Sequence, residues 1–213
     1  MNNFVVNLKK SVRNPTLTSN KSFKIGDKQI IDFPTKKYDV IYADPPWQYK
    51  DKAHDGKRGV QYQYETLSIN ELMQLPVSSI ANTNCVLFMW VTAPLLLDAL
   101  RLAQAWGFTY KTKGFCWHKV NKDGSSFRGM GHYTRSNTED VLVFTKGKCL
   151  DRTDKGVFQV VTEARREHSR KPDEVRERLS KLYANASRIE LFARNKTQNW
   201  DVWGNQINKY TGS

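Results

Sequence analysis

Tyr38-Asp-Val-Ile-Tyr-Ala43 runs directly into Asp44-Pro45-Pro46-Trp47, and this stretch decides how the rest of the chain is read. β-Branched and aromatic residues fill its first six positions, the composition of a strand. Two prolines then end it, because neither has an N–H to donate to a ladder. Further on, Cys85–Val91 is an unbroken apolar run, the mark of a strand buried on both faces. Between the two, Ser68-Ile-Asn-Glu71 has the spacing of a capping box and opens a short helix to about Leu75. Ala93–Trp106 is helical, with Pro94 in its first turn and Gly107 just past its end. Phe108–His118, Asp140–Thr145, Val157–Val161 and Arg188–Ala193 read as further strands. Pro172–Tyr183 is amphipathic through Val175, Leu179, Leu182 and Tyr183. Doubly buried strands alternating with helices predict an α/β fold on a mostly parallel central sheet, with helices on both faces. In such sheets ligands sit beyond the carboxyl ends of the strands, so function is sought at strand exits.

The 213 residues are enough for one domain with a substantial core. Residues 1–22, rich in Asn, Ser, Thr and Lys, are expected to form an N-terminal arm, and residues 23–213 a single domain. With 39% apolar and 26% charged residues, disorder and collagen-like repeats are disfavoured. Thirty-four basic against 21 acidic residues give a net charge of +13 and favour a polyanionic partner. No stretch reaches the roughly 18 apolar residues of a membrane span, and Met1–Lys10 lacks the apolar core of a signal peptide. The chain is expected to be cytoplasmic. Cys85, Cys116 and Cys149 are far apart, and His54, His118 and His132 are scattered, so neither a disulfide framework nor a metal site is expected.

Asp44-Pro45-Pro46-Trp47 suits one chemistry in particular. The lone pair of an aromatic exocyclic amine is delocalised into its ring, which makes it a poor nucleophile. Two acceptors, one for each N–H, would localise that pair; the Asp44 carboxylate is one and the Pro45 carbonyl the second. Pro46 restricts the backbone, and neither proline carries an N–H to compete for those acceptors. Trp47 offers a flat apolar face to a purine taken out of its stack. Positioning and electrostatics then carry most of the rate.

The tetrad resembles that of the seventy-kilodalton mRNA adenosine methyltransferase (MT-A70) family, and the resemblance covers residues 24–207 in the family's order. Gly114-Phe-Cys-Trp-His-Lys119 is similar to its Trp-x-Lys strand. Gly129-Met-Gly-His-Tyr-Thr-Arg135, continuing through Glu139 to Gly147, is similar to its Gly-x-Gly…Arg…Glu block. His168-Ser-Arg-Lys-Pro-Asp-Glu174 matches its Ser-x-Lys-Pro-Asp-Glu signature, Arg188–Arg194 its Glu-Leu-Phe-x-Arg strand, and Asn199–Asn205 its closing block. The wording resembles the bacterial and phage branch. The resemblance implies a Rossmann-like fold in permuted order, the catalytic tetrad preceding the cofactor strand, and transfer of a methyl group from S-adenosylmethionine to the 6-amino group of adenine. It places Asp27, Asp44, Lys171, Glu190, Phe192, Arg194, Asn205 and Gln206 on cofactor-binding positions. Glu190 suits a ribose diol, Lys171 and Arg194 a carboxylate, and Asn205 and Gln206 mixed donors and acceptors.

Two basic, aromatic segments lie near these positions. One carries Lys50, Lys52, Lys57, Arg58, Tyr62 and Tyr64; the other Trp117, Lys119, Arg128, His132 and Arg135, with Lys111, Lys113 and Lys122. Lysine and arginine can neutralise phosphates while aromatics stack on bases. DNA is the expected substrate, with RNA as the alternative polymer. A non-catalytic nucleic-acid-binding subunit and a generic basic RNA-binding domain are the rival classes. So short a chain leaves little room for a separate recognition domain, and a short or relaxed sequence preference is expected. The chain is expected to act as a monomer or homodimer, with a heteromeric partner left open.

Overall fold

A computed structural model describes residues 22–25, 28–48, 67–131, 133–167, 169–207 and 209. The chain divides into two units, before and after the Asp32–Phe33 junction. In the first, β1 (Ser22–Ile25) and β2 (Lys28–Ile31) form an antiparallel hairpin, which the sequence reading did not anticipate.

The second unit is built on a seven-stranded sheet. Its strands are β3 (Tyr38–Ala43), β4 (Ala81–Val91), β5 (Thr109–Val120), β6 (Thr138–Lys146), β7 (Val160–Ala164), β8 (Arg188–Leu191) and β9 (Asp201–Trp203). The order across the sheet is β7-β5-β6-β4-β3-β8-β9. β3 pairs in parallel with β4 and β8, β8 with β9, and β5 with β7, while β6 is antiparallel to both β4 and β5. Six strands therefore run the same way, and their carboxyl ends share one edge with the amino end of β6. The expected mostly parallel α/β sheet is what the chain forms.

Helix α1 (Ile69–Met73) starts at the expected box: Ser68 Oγ accepts from the Glu71 amide at 3.3 Å, and the Ser68 amide donates back to Glu71 Oε2 at 2.7 Å. Pro94 shapes the next helix differently from a plain α-helical start. Ala93–Leu95 form a 3₁₀ turn, and α2 proper is Leu96–Ala105. Gly107 then turns the chain with φ +84°, a conformation that favours glycine. Helix α3 (Asp173–Leu182) follows Pro172 and begins with two acidic residues, which suits the positive end of its dipole.

Alternation along the strands makes two cores. On one face Val40, Tyr42, Val86, Phe88, Trp90 and Val141 pack with Val175 and Leu179 of α3. Ile41, Leu87, Met89, Leu142 and Phe144, the alternate residues, are buried toward the other face. α2 buries Ala99, Leu102 and Ala103 and lies against β4 and β5, and the Trp106 indole N–H just beyond it donates to the Leu72 carbonyl of α1 at 2.9 Å. Burying a side chain the size of Leu179 contributes about 1.5–3 kcal/mol, and Leu179→Ala would cost about 2–5 kcal/mol once the cavity is included. These cores fix the sheet, and the sheet fixes its carboxyl edge.

Candidate active site

The parallel pairing of β3 with β8 puts Ala43 opposite Leu191, so the residues that follow them, Asp44 and Phe192, leave the sheet side by side. Both line one cleft with Lys171, Glu190, Arg194 and Arg176. Phe192 (φ 61°) and Ser169 (φ 64°) hold left-handed backbone there, and each lines the cleft. Left-handed conformations are uncommon outside glycine, asparagine and aspartate and concentrate at functional sites.

Asp44 belongs to a ladder of alternating charges. Lys171 Nζ lies 3.1 Å from Asp44 Oδ1 and 2.9 Å from Glu139 Oε1, and Lys119 Nζ lies 2.8 Å from Glu139 Oε2. The ammonium of Lys171 also sits 5.5 Å from the centre of the Trp90 ring, and that of Lys119 4.9 Å from the centre of Trp117. Four elements meet in this ladder: the exits of β3 and β5, the start of β6 and the approach to α3. Burial pushes the Asp44 carboxyl above the ordinary carboxylate value; Lys171 and Arg194 pull against that shift, and Glu139 adds to it. Burial acts on Glu139 in the same sense, but Lys171 and Lys119 outweigh it and hold that carboxyl low. Lys171 is held protonated, because two carboxylates outweigh its own desolvation.

Glu190, on the neighbouring strand β8, lines the same cleft. Arg176 Nε is 2.9 Å from Glu190 Oε2, but the two atoms are not aligned for a hydrogen bond, and both are buried without a hydrogen-bond partner. Burial pushes the Glu190 carboxyl up to about 7 against the pull of Arg176, with Asp44 adding to the rise. Within the cleft, the acceptor capacity of the Glu190 carboxylate beyond the Arg176 pair suits a ligand that brings a hydroxyl donor. Arg176 is itself held by Asp173 at 3.3 Å and by Thr197.

Trp47, expected to offer a flat face to a purine, is instead packed into the fold. Its indole N–H donates to the Trp90 carbonyl at 3.3 Å, and the ring is buried to 6% exposure. The Trp90 indole in turn donates to the Tyr42 hydroxyl. The Trp47 amide donates to the Pro45 carbonyl at 2.8 Å. That carbonyl therefore already serves one donor from within the tetrad, and its second lone pair is what remains for a ligand.

The MT-A70 family model matches residues 38–206, from the start of β3 to the turn after β9. The chain belongs to the MT-A70 family. It is 38% identical to the Type II methyltransferase M.MunI of Mycoplasma sp over 92% of this chain and 89% of that protein. It is 30% identical to the N(6)-adenosine-methyltransferase MT-A70-like protein of Arabidopsis thaliana over 80% of this chain and 24% of that protein. Its identity to the human N(6)-adenosine-methyltransferase catalytic subunit METTL3 is 28%, over 80% of this chain and 28% of that protein. The chain thus spans nearly all of the Mycoplasma relative and about a quarter of the plant and human ones. It is a methyltransferase of the MT-A70 fold.

Of the expected cofactor positions, Asp44, Lys171, Glu190, Phe192 and Arg194 meet in this one MT-A70 cleft. Asn205 and Gln206 follow β9 at the same edge, where the Ala193 amide bonds to the Trp203 carbonyl at 3.0 Å. Lys171, expected to meet a ligand carboxylate, has two protein carboxylates as its neighbours. Asp27, Lys50, Lys52, Lys57, Arg58, Tyr62, Tyr64 and His132 lie outside the described residues. Arg128 and Arg135 are exposed on the β5–β6 connection. Trp117, expected to face nucleic acid, is instead 4% exposed in the α3-facing core, its indole N–H donating to the Glu163 carbonyl at 2.9 Å. In the alternation of β5 it shares the inward face of Phe115. Lys119 is engaged with Glu139 rather than displayed to solvent.

One residue of the cleft region escaped the sequence reading, and a second entered it only within a family block. Arg176 is a cation on the apolar side of α3, next to Val175, where a buried anion is the natural partner. Glu139, read only as part of the Gly-x-Gly…Arg…Glu block, is the second residue of β6, just before its apolar stretch Val141–Phe144. Among the described residues no group of His, Cys, Asp and Glu is arranged to hold a metal ion, and no helix is long and apolar enough to cross a membrane.

Proposed function

We propose that the chain methylates the 6-amino group of adenine in DNA, with S-adenosylmethionine as donor and a short or relaxed sequence preference. The observation that carries this reading is the adjacency of Asp44 and the Glu190–Arg194 segment at neighbouring strand exits. One side offers an amine acceptor and the other a cofactor wall. S-adenosylmethionine, when bound, would supply an electrophilic methyl group on a sulfonium centre, leaving as S-adenosylhomocysteine while the proton displaced from the amine passes to solvent. Its ribose diol fits the Glu190 carboxylate that lines the cleft, and Arg194, with Asn205 and Gln206 at the same edge, fits the amino-acid end.

The rest of the chemistry belongs to the chain. Asp44 accepts one N–H of the target amine, and the second lone pair of the Pro45 carbonyl accepts the other. Lys171 keeps Asp44 from being an uncompensated buried charge. The fixed tetrad, held by Trp47 on Trp90, sets the amine in line, so that positioning rather than a strong base supplies the rate.

DNA is favoured over RNA by the extent of the match to a Type II methyltransferase. RNA is the second reading, favoured by the plant and human relatives whose names specify adenosine. A non-catalytic binding subunit is disfavoured by the intact tetrad. The deciding experiment expresses the chain in a methylation-free host, sequences the DNA for modified adenine and assays the RNA alongside. Modified adenine in DNA supports the reading; modification confined to RNA overturns the choice of polymer. Absence of both, with no S-adenosylmethionine affinity by calorimetry, overturns catalysis.

A further inference from the structure

The connection between β5 and β6 leaves the carboxyl edge of the sheet and returns directly into Glu139. Its two arms nearly touch. A Cβ on Gly129 would lie 1.8 Å from the Ser136 carbonyl oxygen, and one on Gly131 1.9 Å from that of Thr134. Backbones this close leave room only for glycine. The base of the loop is pinned as well: the Phe127 amide donates to the Lys119 carbonyl at 3.2 Å, the Lys119 amide donates to Asn137 at 2.8 Å, and the Arg165 guanidinium lies 3.6 Å from the centre of the Phe127 ring.

At the tip of this narrow neck, Met130 is 94% exposed and Tyr133 102%. Single exposed apolar residues are ordinary. Two fully exposed ones on the tip of a pinned loop, flanked by exposed Arg128 and Arg135, form a distinct arrangement. The sequence from Phe127 to Asn137 holds no acidic residue, so the loop's charge complements a polyanion.

We propose that Met130 and Tyr133 form a wedge that enters the base stack of duplex DNA and fills the gap left when the target adenine is extruded toward Asp44. The inference rests on the DNA adenine reading above. A paired adenine is out of reach of a recessed carboxylate, and extruding it leaves an unstacked step. Apolar side chains inserted between base steps offset that loss, and an aromatic ring restacks on the exposed neighbours. Arg128 and Arg135 hold the flanking phosphates. The placement fits: the loop's return arm leads into Glu139, which shares Lys171 with Asp44.

The test compares wild-type protein with the Met130→Ala/Tyr133→Ala variant. Both side chains are exposed, so the fold is expected to survive, and circular dichroism and Tm check that it does. Tritiated S-adenosylmethionine reads methyl transfer to methylation-free duplex DNA and to the same DNA heat-denatured. The variant is expected to lose at least tenfold on the duplex and to stay within about twofold on the single strand, where no stack need be opened. Equal losses on both forms, no loss on the duplex, or a wild type active only on single strands would each overturn the wedge. Permanganate reactivity of thymines left unpaired in bound duplex reads extrusion without any methyl transfer. Wild type should raise it and the variant should not. A wild type that raises thymine reactivity but methylates no adenine would sink the functional reading and leave the wedge standing. Unchanged reactivity in the variant would do the reverse.

Discussion

The Asp44 carboxylate and the Glu139 carboxylate share a single ammonium, that of Lys171, at 3.1 and 2.9 Å. Lys171 is 14% exposed and Glu139 9%, so solvent screens this arrangement little. Lys171 cannot turn toward a ligand without leaving one carboxylate less compensated. It therefore couples the amine-facing tetrad to the start of β6, and the wedge loop springs from that same point.

Asp44→Ala removes an acceptor for the target amine and should lower methyl transfer by about 10²–10³-fold or more, the scale of one preorganised electrostatic contact. The fold and much of the cofactor affinity should remain. Asp44→Asn should also be severely impaired, because its amide keeps a carbonyl but loses the charge. Single-turnover transfer and calorimetry on each folded variant check this; near wild-type turnover in Asp44→Ala would remove the central claim.

Lys171→Ala leaves Asp44 and Glu139 facing each other without their shared cation. Breaking a buried pair costs about 3–5 kcal/mol, measurable by urea unfolding, and cofactor affinity should fall as well. The pH dependence has a definite sign. Glu139 is held low in the folded chain, so its contribution is present above the ordinary carboxylate value and is lost as pH falls through the lowered one. In Lys171→Ala that acid loss should begin at higher pH. Glu139→Gln has a different signature: it removes a like charge that raises Asp44, so the acid limb of activity should move to lower pH. An acid limb unchanged by Glu139→Gln would show that Asp44 does not control it.

Glu190 gives a second pH test. Its carboxyl titrates at about 7 in the folded chain, above the ordinary value of about 4.3. The folded state thus keeps a proton that the unfolded chain has lost, and stability declines as pH rises from about 4 to 7, then levels. Affinity runs the other way. If the ionised carboxylate accepts from the ribose diol, S-adenosylmethionine binding weakens as pH falls below about 7, approaching tenfold per unit. Glu190→Gln should bind weakly with no such dependence. Calorimetry from pH 5.5 to 8.5 decides; a flat wild-type profile would dissociate Glu190 from the ligand.

Much of this site was legible because strand exits announce themselves. β3 is where its composition placed it, the Ser68 box caps α1, and Asp44, Glu190 and Phe192 meet because parallel neighbours end at one edge. What the sequence concealed was company rather than position. Lys171 reads as a partner for a ligand carboxylate until the fold brings Glu139 from a distant strand to its ammonium. Trp117 reads as a stacking platform until the alternation of β5 turns it inward. The β1–β2 hairpin and β9 are short, and four- and three-residue strands leave too little periodicity to see.

Geometry also divides the basic residues of β5 and its following loop, which as a sequence look like one patch. Thr109 opens β5 and Val120 ends it at the carboxyl edge. At about 3.3 Å per residue, Lys111 stands about 30 Å from the end that carries the site. Arg128 and Arg135 lie beyond that end, exposed, on the loop that returns to Glu139. If nucleic acid is held at the carboxyl edge, phosphates meet the two arginines and not Lys111. Binding then releases counterions, and log affinity falls linearly with log salt, by about 0.9 per phosphate neutralised on B-DNA. Arg128→Ala/Arg135→Ala should therefore shallow the slope by up to about 2 and weaken all sequences alike, whereas Lys111→Ala should leave it unchanged. Titrating labelled duplex across a salt series with the three proteins measures this directly. Equal shallowing by Lys111→Ala would mean that the polyanion tracks the whole strand and not its exit, and the edge would lose its claim to the substrate.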